Sequence, residues 1–193
     1  PTANRIDWDS ATLIGVDPLN LIPDSLVIDQ AIELQAKGSG SLNIGNGTVV
    51  AGITDFTVNI ATMDVVTGNG TLGTLLNANV LSVNIVDASL FIGSGHAGLD
   101  GTTHAVLARG ADAIGFDVTG IGFALASVTD STGAANYTGV FASVTSAALV
   151  GINGIELYVT GSLALNSAPT ANRIDWDSAT LIGVDPLNLI PDS

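Results

Sequence analysis

GIELYVTGSLAL, residues 154–165, places Ile155, Leu157 and Val159 on one side of an extended chain and Glu156, Tyr158 and Thr160 on the other. Successive side chains of a strand point to opposite faces, so this alternation describes a strand with one dry face. No window carries the i, i+3, i+4 spacing of a long amphipathic helix, and almost no helix is expected.

The same pattern recurs on either side of this stretch. Aligned on an Asn or Asp followed by alternating apolar residues, five copies are found: IDQAIELQA from Ile28, VNIATMDVV from Val58, VNIVDASLF from Val83, FDVTGIGFALA from Phe116 and INGIELYVT from Ile152. Their anchors are Asp29, Asn59, Asn84, Asp117 and Asn153. Each copy follows a second apolar segment, namely LIGV from Leu13, VVAGI from Val49, LLNANV from Leu75, VLARGA from Val106 and VFASV from Val140. Each subunit of about 34 residues therefore offers two short strands, and self-similarity at such a period signals an array. An Asn or Asp that returns in every copy is expected to cap a turn or to form a hydrogen-bonded ladder.

A longer and exact repeat lies above this one. Pro1–Ser25 returns unchanged as Pro169–Ser193, a period of 168 residues. Residues 1–168 are thus read as one full tandem repeat of about five degenerate two-strand subunits, and residues 169–193 as the start of the next. Between the strand candidates lie GSGSLNIGNG (38–47), TGNGTLG (67–73), GSGHAGLDG (93–101) and TDSTGAAN (129–136), whose Gly and Asn residues accept the positive φ of tight turns.

Composition narrows the class. Apolar residues make up 47% of the chain and charged residues 11%, with 23 glycines, which suits many short strands joined by turns. Eighteen acids, 16 of them Asp, stand against four bases, for a net charge of −14. Such a surface repels nucleic acid and anionic lipid and gathers divalent cations. Cysteine is absent, which excludes disulfides and thiolate metal sites. No apolar run reaches the ~18 residues of a membrane-spanning helix, so membrane insertion is not expected.

The duplicated stretch holds the best candidate site. In NRIDWDS, alternation sets Arg5, Asp7 and Asp9 on one face and Ile6 and Trp8 on the drier one. Two carboxylates two residues apart can share Ca²⁺, with Asp17 or Asp24 adding oxygen, and Asp175 and Asp177 repeat the pair. The bland alternative is that Arg5 neutralises Asp7 and Asp9 in a surface ion-pair row. Trp8, if exposed beside the aspartates, would form a stacking platform for a glycan; if buried, it is structural. His96 and His104 lack a third ligand. Asp29, Asp64, Asp87 and Asp117 are the acids that a β-helix polysaccharide lyase or hydrolase would use, but Asp29 and Asp117 coincide with the recurrent anchor. No catalytic site is assigned, and the chain is not expected to be an enzyme.

In VGINGIELYVTGSLALN (150–166) and VLARGADAIGFDVTGIGFALASV (106–128) the chain resembles the degenerate repeats of giant secreted bacterial surface proteins. These are long adhesin-like chains, often exported by type I secretion and associated with calcium-binding repeats. The resemblance implies an extracellular or cell-surface stalk, filament or matrix component, without the calcium nonapeptide. Together these readings predict an all-β, elongated repeat array: a β-solenoid, with tandem antiparallel β-sandwich or meander modules as the alternative. The expected role is length and cohesion, with adjacent repeats of the same chain or like chains as partners. The competing role is a calcium- or glycan-binding surface module.

Overall fold

The computed structural model describes residues 5–8, 10–11, 28 and 30–181. They contain no helix. Six long strands follow one another, β1 (Ile32–Ile44), β2 (Val49–Val66), β3 (Thr74–His96), β4 (Arg109–Thr129), β5 (Asn136–Val150) and β6 (Leu157–Ser167), and a two-residue β7 (Thr180–Leu181) follows. Each of the six pairs antiparallel with its sequence neighbours in the order β1-β2-β3-β4-β5-β6, and β7 pairs with the end of β2.

This up-and-down sheet is the arrangement of the meander alternative. Coils of a solenoid stack their strands in parallel, and no strand pair among the described residues is parallel. The short segments expected in pairs are joined end to end: VVAGI and VNIATMDVV are both part of β2, and LLNANV and VNIVDASLF both part of β3. INGIELYVT, by contrast, spans the β5–β6 turn and only its last four residues enter β6. The ladder expected of the Asn/Asp anchors does not form, for a physical reason. Antiparallel neighbours run in opposite directions, so equivalent positions of successive copies fall at different heights. Asn59 accordingly faces Ser82, Asn84 faces Thr57, and Asp117 faces Phe91. Asp29 lies outside the described residues.

What joins the short segments is a line of irregularities across the sheet. Pairing slips between Gly38 and Gly40, between Ile85 and Leu90, and between Val144 and Ala147. The residues at the line include Asp87 and Gly120, both at positive φ. Bulges of this kind insert an extra residue into a strand and bend it. In FDVTGIGFALA the extra residue lets Phe116 and Val118 before the line, and Ile121, Phe123 and Leu125 after it, serve one face. A strict alternation would have sent the second group to the other side.

The result is a sheet with two unlike faces. On one, whole rows are apolar across six strands: Ala36–Val58–Val83–Leu125–Val140–Leu165 on one side of the bulge line and Ile44–Val49–Ile92–Phe116–Leu149–Leu157 on the other. On the opposite face runs the mixed row Gln35–Asn59–Ser82–Ala126–Gly139–Asn166. There the buried Asn59 is satisfied by its neighbours, accepting from Gln35 Nε2 (2.9 Å) and donating to Ser82 Oγ (3.2 Å). The two buried clusters belong to this second face. The larger contains Ile32, Ala61, Val65, Val80, Val128 and Tyr137; the smaller contains Val50, Phe91 and Ala113 beneath Leu99 and Val106 of the β3–β4 loop.

Gly120 tests the bulge line. At φ +62° it occupies the left-handed region, and a Cβ there would collide with the Thr145 side chain. Gly120→Val is expected to lower stability by about 1–3 kcal/mol, read as a lower urea midpoint at unchanged slope. Gly161→Val on the edge strand, where a Cβ meets open space, is expected to stay within about 0.5 kcal/mol.

Candidate functional site

The duplicated stretch occupies two settings. In the first copy the Arg5 guanidinium binds the Glu33 carboxylate and reaches the Ala31 carbonyl at 3.5 Å, while the Trp8 N–H donates to the Ile28 carbonyl at 2.9 Å. Among the described residues Arg5 is held by Glu33 of β1; Asp9, part of the ion-pair row considered from alternation, lies outside them. Alternation describes one strand, whereas Glu33 lies 28 residues away. Asp7 accepts from Ser10 Oγ at 2.7 Å through Oδ2, and its Oδ1 is buried without a partner.

The second copy lies against the mixed face of the sheet. Asn69 Nδ2 donates to the Arg173 carbonyl (2.9 Å), Asn166 Nδ2 to the Ile174 carbonyl (2.8 Å), and the Asp175 N–H donates to the Thr67 carbonyl (2.9 Å). These bonds fix the segment so that Ile174, Trp176 and Ala179 pack into the larger cluster. Trp176 lies on β5 at Gly139, where a Cβ would come within 2.6 Å of the indole; glycine is what admits the ring. The drier face expected for Ile and Trp is thus realised here, with Asp175 and Asp177 exposed on the other side. Trp8 and Trp176 are both half-buried. The indole of Trp176 covers the sheet, so the exposed stacking platform considered for a glycan is not what the second copy displays.

Asp9, Asp17 and Asp24 lie outside the described residues. Among the described residues no group of three or more His, Asp or Glu side chains converges as a metal site. The acids serve turns and strand contacts instead. Asp64 Oδ1 accepts from the N–H of Asn77 (2.7 Å), itself at positive φ, and Asp117 pairs with Arg109 at 2.8 Å. Asp87 is a bulge residue. His96 packs its ring against Phe91 at 5.0 Å and accepts the Gly98 N–H on Nδ1 (2.9 Å). Beside it, Arg109 and Asp117 line a cavity of about 150 Å³ under the β3–β4 loop.

Two aspartates of the turn stretches GSGHAGLDG and TDSTGAAN organise their loops. Asp100 Oδ1 accepts the N–H groups of Thr102 and Thr103, and Asp130 Oδ1 those of Ala134 and Ala135. The runs DGTT and DSTG were the available signal, since an Asp side chain bonds backbone two residues on. Thr103 N–H holds the Asp100 carboxyl below its ordinary range, and Ala135 N–H does the same for Asp130. Glu33 is likewise lowered, first by Arg5 and then by the Thr62 hydroxyl.

Compared with protein-family models, curated proteins and solved structures, the chain matches none of them.

Identical residues in unlike settings make a direct comparison. Ile174 is 1% exposed and Ile6 is 55% exposed. Ile174→Ala is expected to cost about 2–4 kcal/mol and Ile6→Ala less than about 0.5 kcal/mol in chemical unfolding. The three lowered carboxyls set the acid limb. A group whose pKa falls on folding stabilises above its unfolded value, so the melting temperature should be flat from neutral pH down to about 5 and drop below about 4. Asp100→Asn with Asp130→Asn should flatten part of that drop in a melting series across pH.

Proposed function

We propose that the chain is a structural repeat segment of an extracellular, bacterial cell-surface stalk, filament or adhesin, serving length and cohesion and not catalysis. Its partners are adjacent repeats of the same chain or like chains, built as tandem antiparallel sheet modules in preference to solenoid coils. The observation that carries this reading is the apolar face. Leu34, Leu81, Ile92, Phe116, Val159 and Leu163 are 37–63% exposed on it. Soluble monomers rarely leave apolar patches larger than a few hundred Å² uncovered.

The rows that cross the face carry no charge, so a partner must present an apolar face too. The period supplies one, because a second copy carries the same rows. Face-to-face packing of two sheets would interdigitate them as in a sandwich.

Sedimentation across concentration tests this. The chain should self-associate, and Leu81→Lys with Phe116→Lys should abolish that association while circular dichroism still reports strand. A chain that stays monomeric throughout would remove the cohesive role. Melting with excess calcium after chelator treatment is the companion measurement. An unchanged midpoint is expected, while a rise of several degrees would favour the calcium-binding module built on Asp7, Asp9, Asp17, Asp24, Asp175 and Asp177.

A further inference from the structure

The duplicated stretch is observed twice in one molecule, and its two settings use different atoms. Against the sheet that precedes it, the second copy spends the carbonyls of Arg173 and Ile174, the N–H of Asp175, and the side chains of Ile174, Trp176 and Ala179. Toward the strand that follows it, the first copy uses the Arg5 guanidinium on Glu33 and Ala31 and the Trp8 N–H on Ile28. None of these bonds competes with another when both sets are placed on a single copy.

We propose that the stretch is a joint. Its apolar side docks in the mixed face of the preceding repeat while its arginine holds Glu33 of β1, and the backbone N–H of its tryptophan the Ile28 carbonyl ahead of β1, in the following one. The first copy therefore presents an unfilled plug, and the partner that fits it is the socket of a second copy of this chain. Ile6 shows the vacancy on the plug side, 55% exposed where its counterpart Ile174 is 1% exposed; Ala11 is half-buried where Ala179 is buried. The socket is equally specific: Gly139 is bare to admit an indole, and Thr67, Asn69 and Asn166 present hydrogen-bonding groups at the matching places. In the present chain the second copy fills its own socket and so caps it. Displacing that copy leaves socket and plug on one molecule, a heterologous head-to-tail contact that propagates from copy to copy.

This proposal rests on the structural-repeat reading but fails separately from it. Association through the apolar face occurs in every variant alike, whereas joint-dependent growth needs an open socket and an intact plug. The experiment compares four full-length chains by sedimentation: unaltered, Ile6→Asp, Ile174→Asp, and both together. Ile174→Asp should expel the resident segment and produce a series several-fold heavier than the unaltered chain, growing with concentration. Ile6→Asp alone should match the unaltered chain, and the double variant should lose the growth. No growth in Ile174→Asp, or equal growth in the double variant, overturns the joint. Should Ile174→Asp fail to fold, a synthetic peptide of residues 1–25 is added in excess. Recovery of strand signal by this peptide, and not by its Ile6→Asp form, supports the joint; no recovery, or equal recovery by both, overturns it.

Discussion

The period-two geometry of an extended chain is the constraint on which this sheet depends. Strands of 18 to 23 residues, such as β2 to β4, cannot keep an apolar side for their full length if anything disturbs the phase. Here bending is combined with a correction of phase. The bulge line supplies the extra residue where the strands bend, and the apolar rows resume on the same face beyond it. Asp87 and Gly120, at positive φ, belong to the backbone that makes this correction possible. Without it the distal halves of the strands would turn polar side chains toward the apolar rows.

The two faces then divide the work. The mixed face completes itself within the molecule: Gln35, Asn59 and Ser82 satisfy one another, loops cover Phe91, and the returning segment brings Ile174 and Trp176. The apolar face has no such cover among the described residues. It is large, uncharged along its rows, and of a kind that water penalises by about 25 cal/mol per Å². An edge adds to this, since β6 is exposed along all 11 of its residues and carries neither charge nor proline to discourage pairing. These are the surfaces on which the proposed cohesion between copies rests.

Much of the construction was legible in the sequence, and the limits of that reading are physical. Alternation in GIELYVTGSLAL, VNIATMDVV and VNIVDASLF identified strand residues, and Gly-Asn clusters marked the turns, including Asn46 at φ 54°. Alternation is the same in parallel and antiparallel strands, so it could not separate stacked coils from a meander. Nor could it show that two segments with turn-prone residues between them form one bulged strand. At the candidate site the burial of Ile174 agrees with the drier face read from NRIDWDS, while Trp176 is half-buried and Ile6 of the first copy is exposed; the partner of Arg5 is a long-range contact to Glu33 that no local spacing encodes. The repeat itself, readable at sight, became informative only when its two copies were found in different surroundings.

An even number of strands has a mechanical corollary. The start of β1 and the end of β6 lie at the same height along the strands but on opposite edges of the sheet, because Leu34, Ile60, Leu81, Ser127, Thr138 and Ser167 follow one another across it. Tension applied through the two ends of such a meander acts across the strands and opens hydrogen bonds one after another, as in a zipper, instead of shearing a whole ladder at once. Each strand peeled away would release slack at ~3.4 Å per residue. A tether made of these sheets would yield gradually under load, lengthening before it breaks.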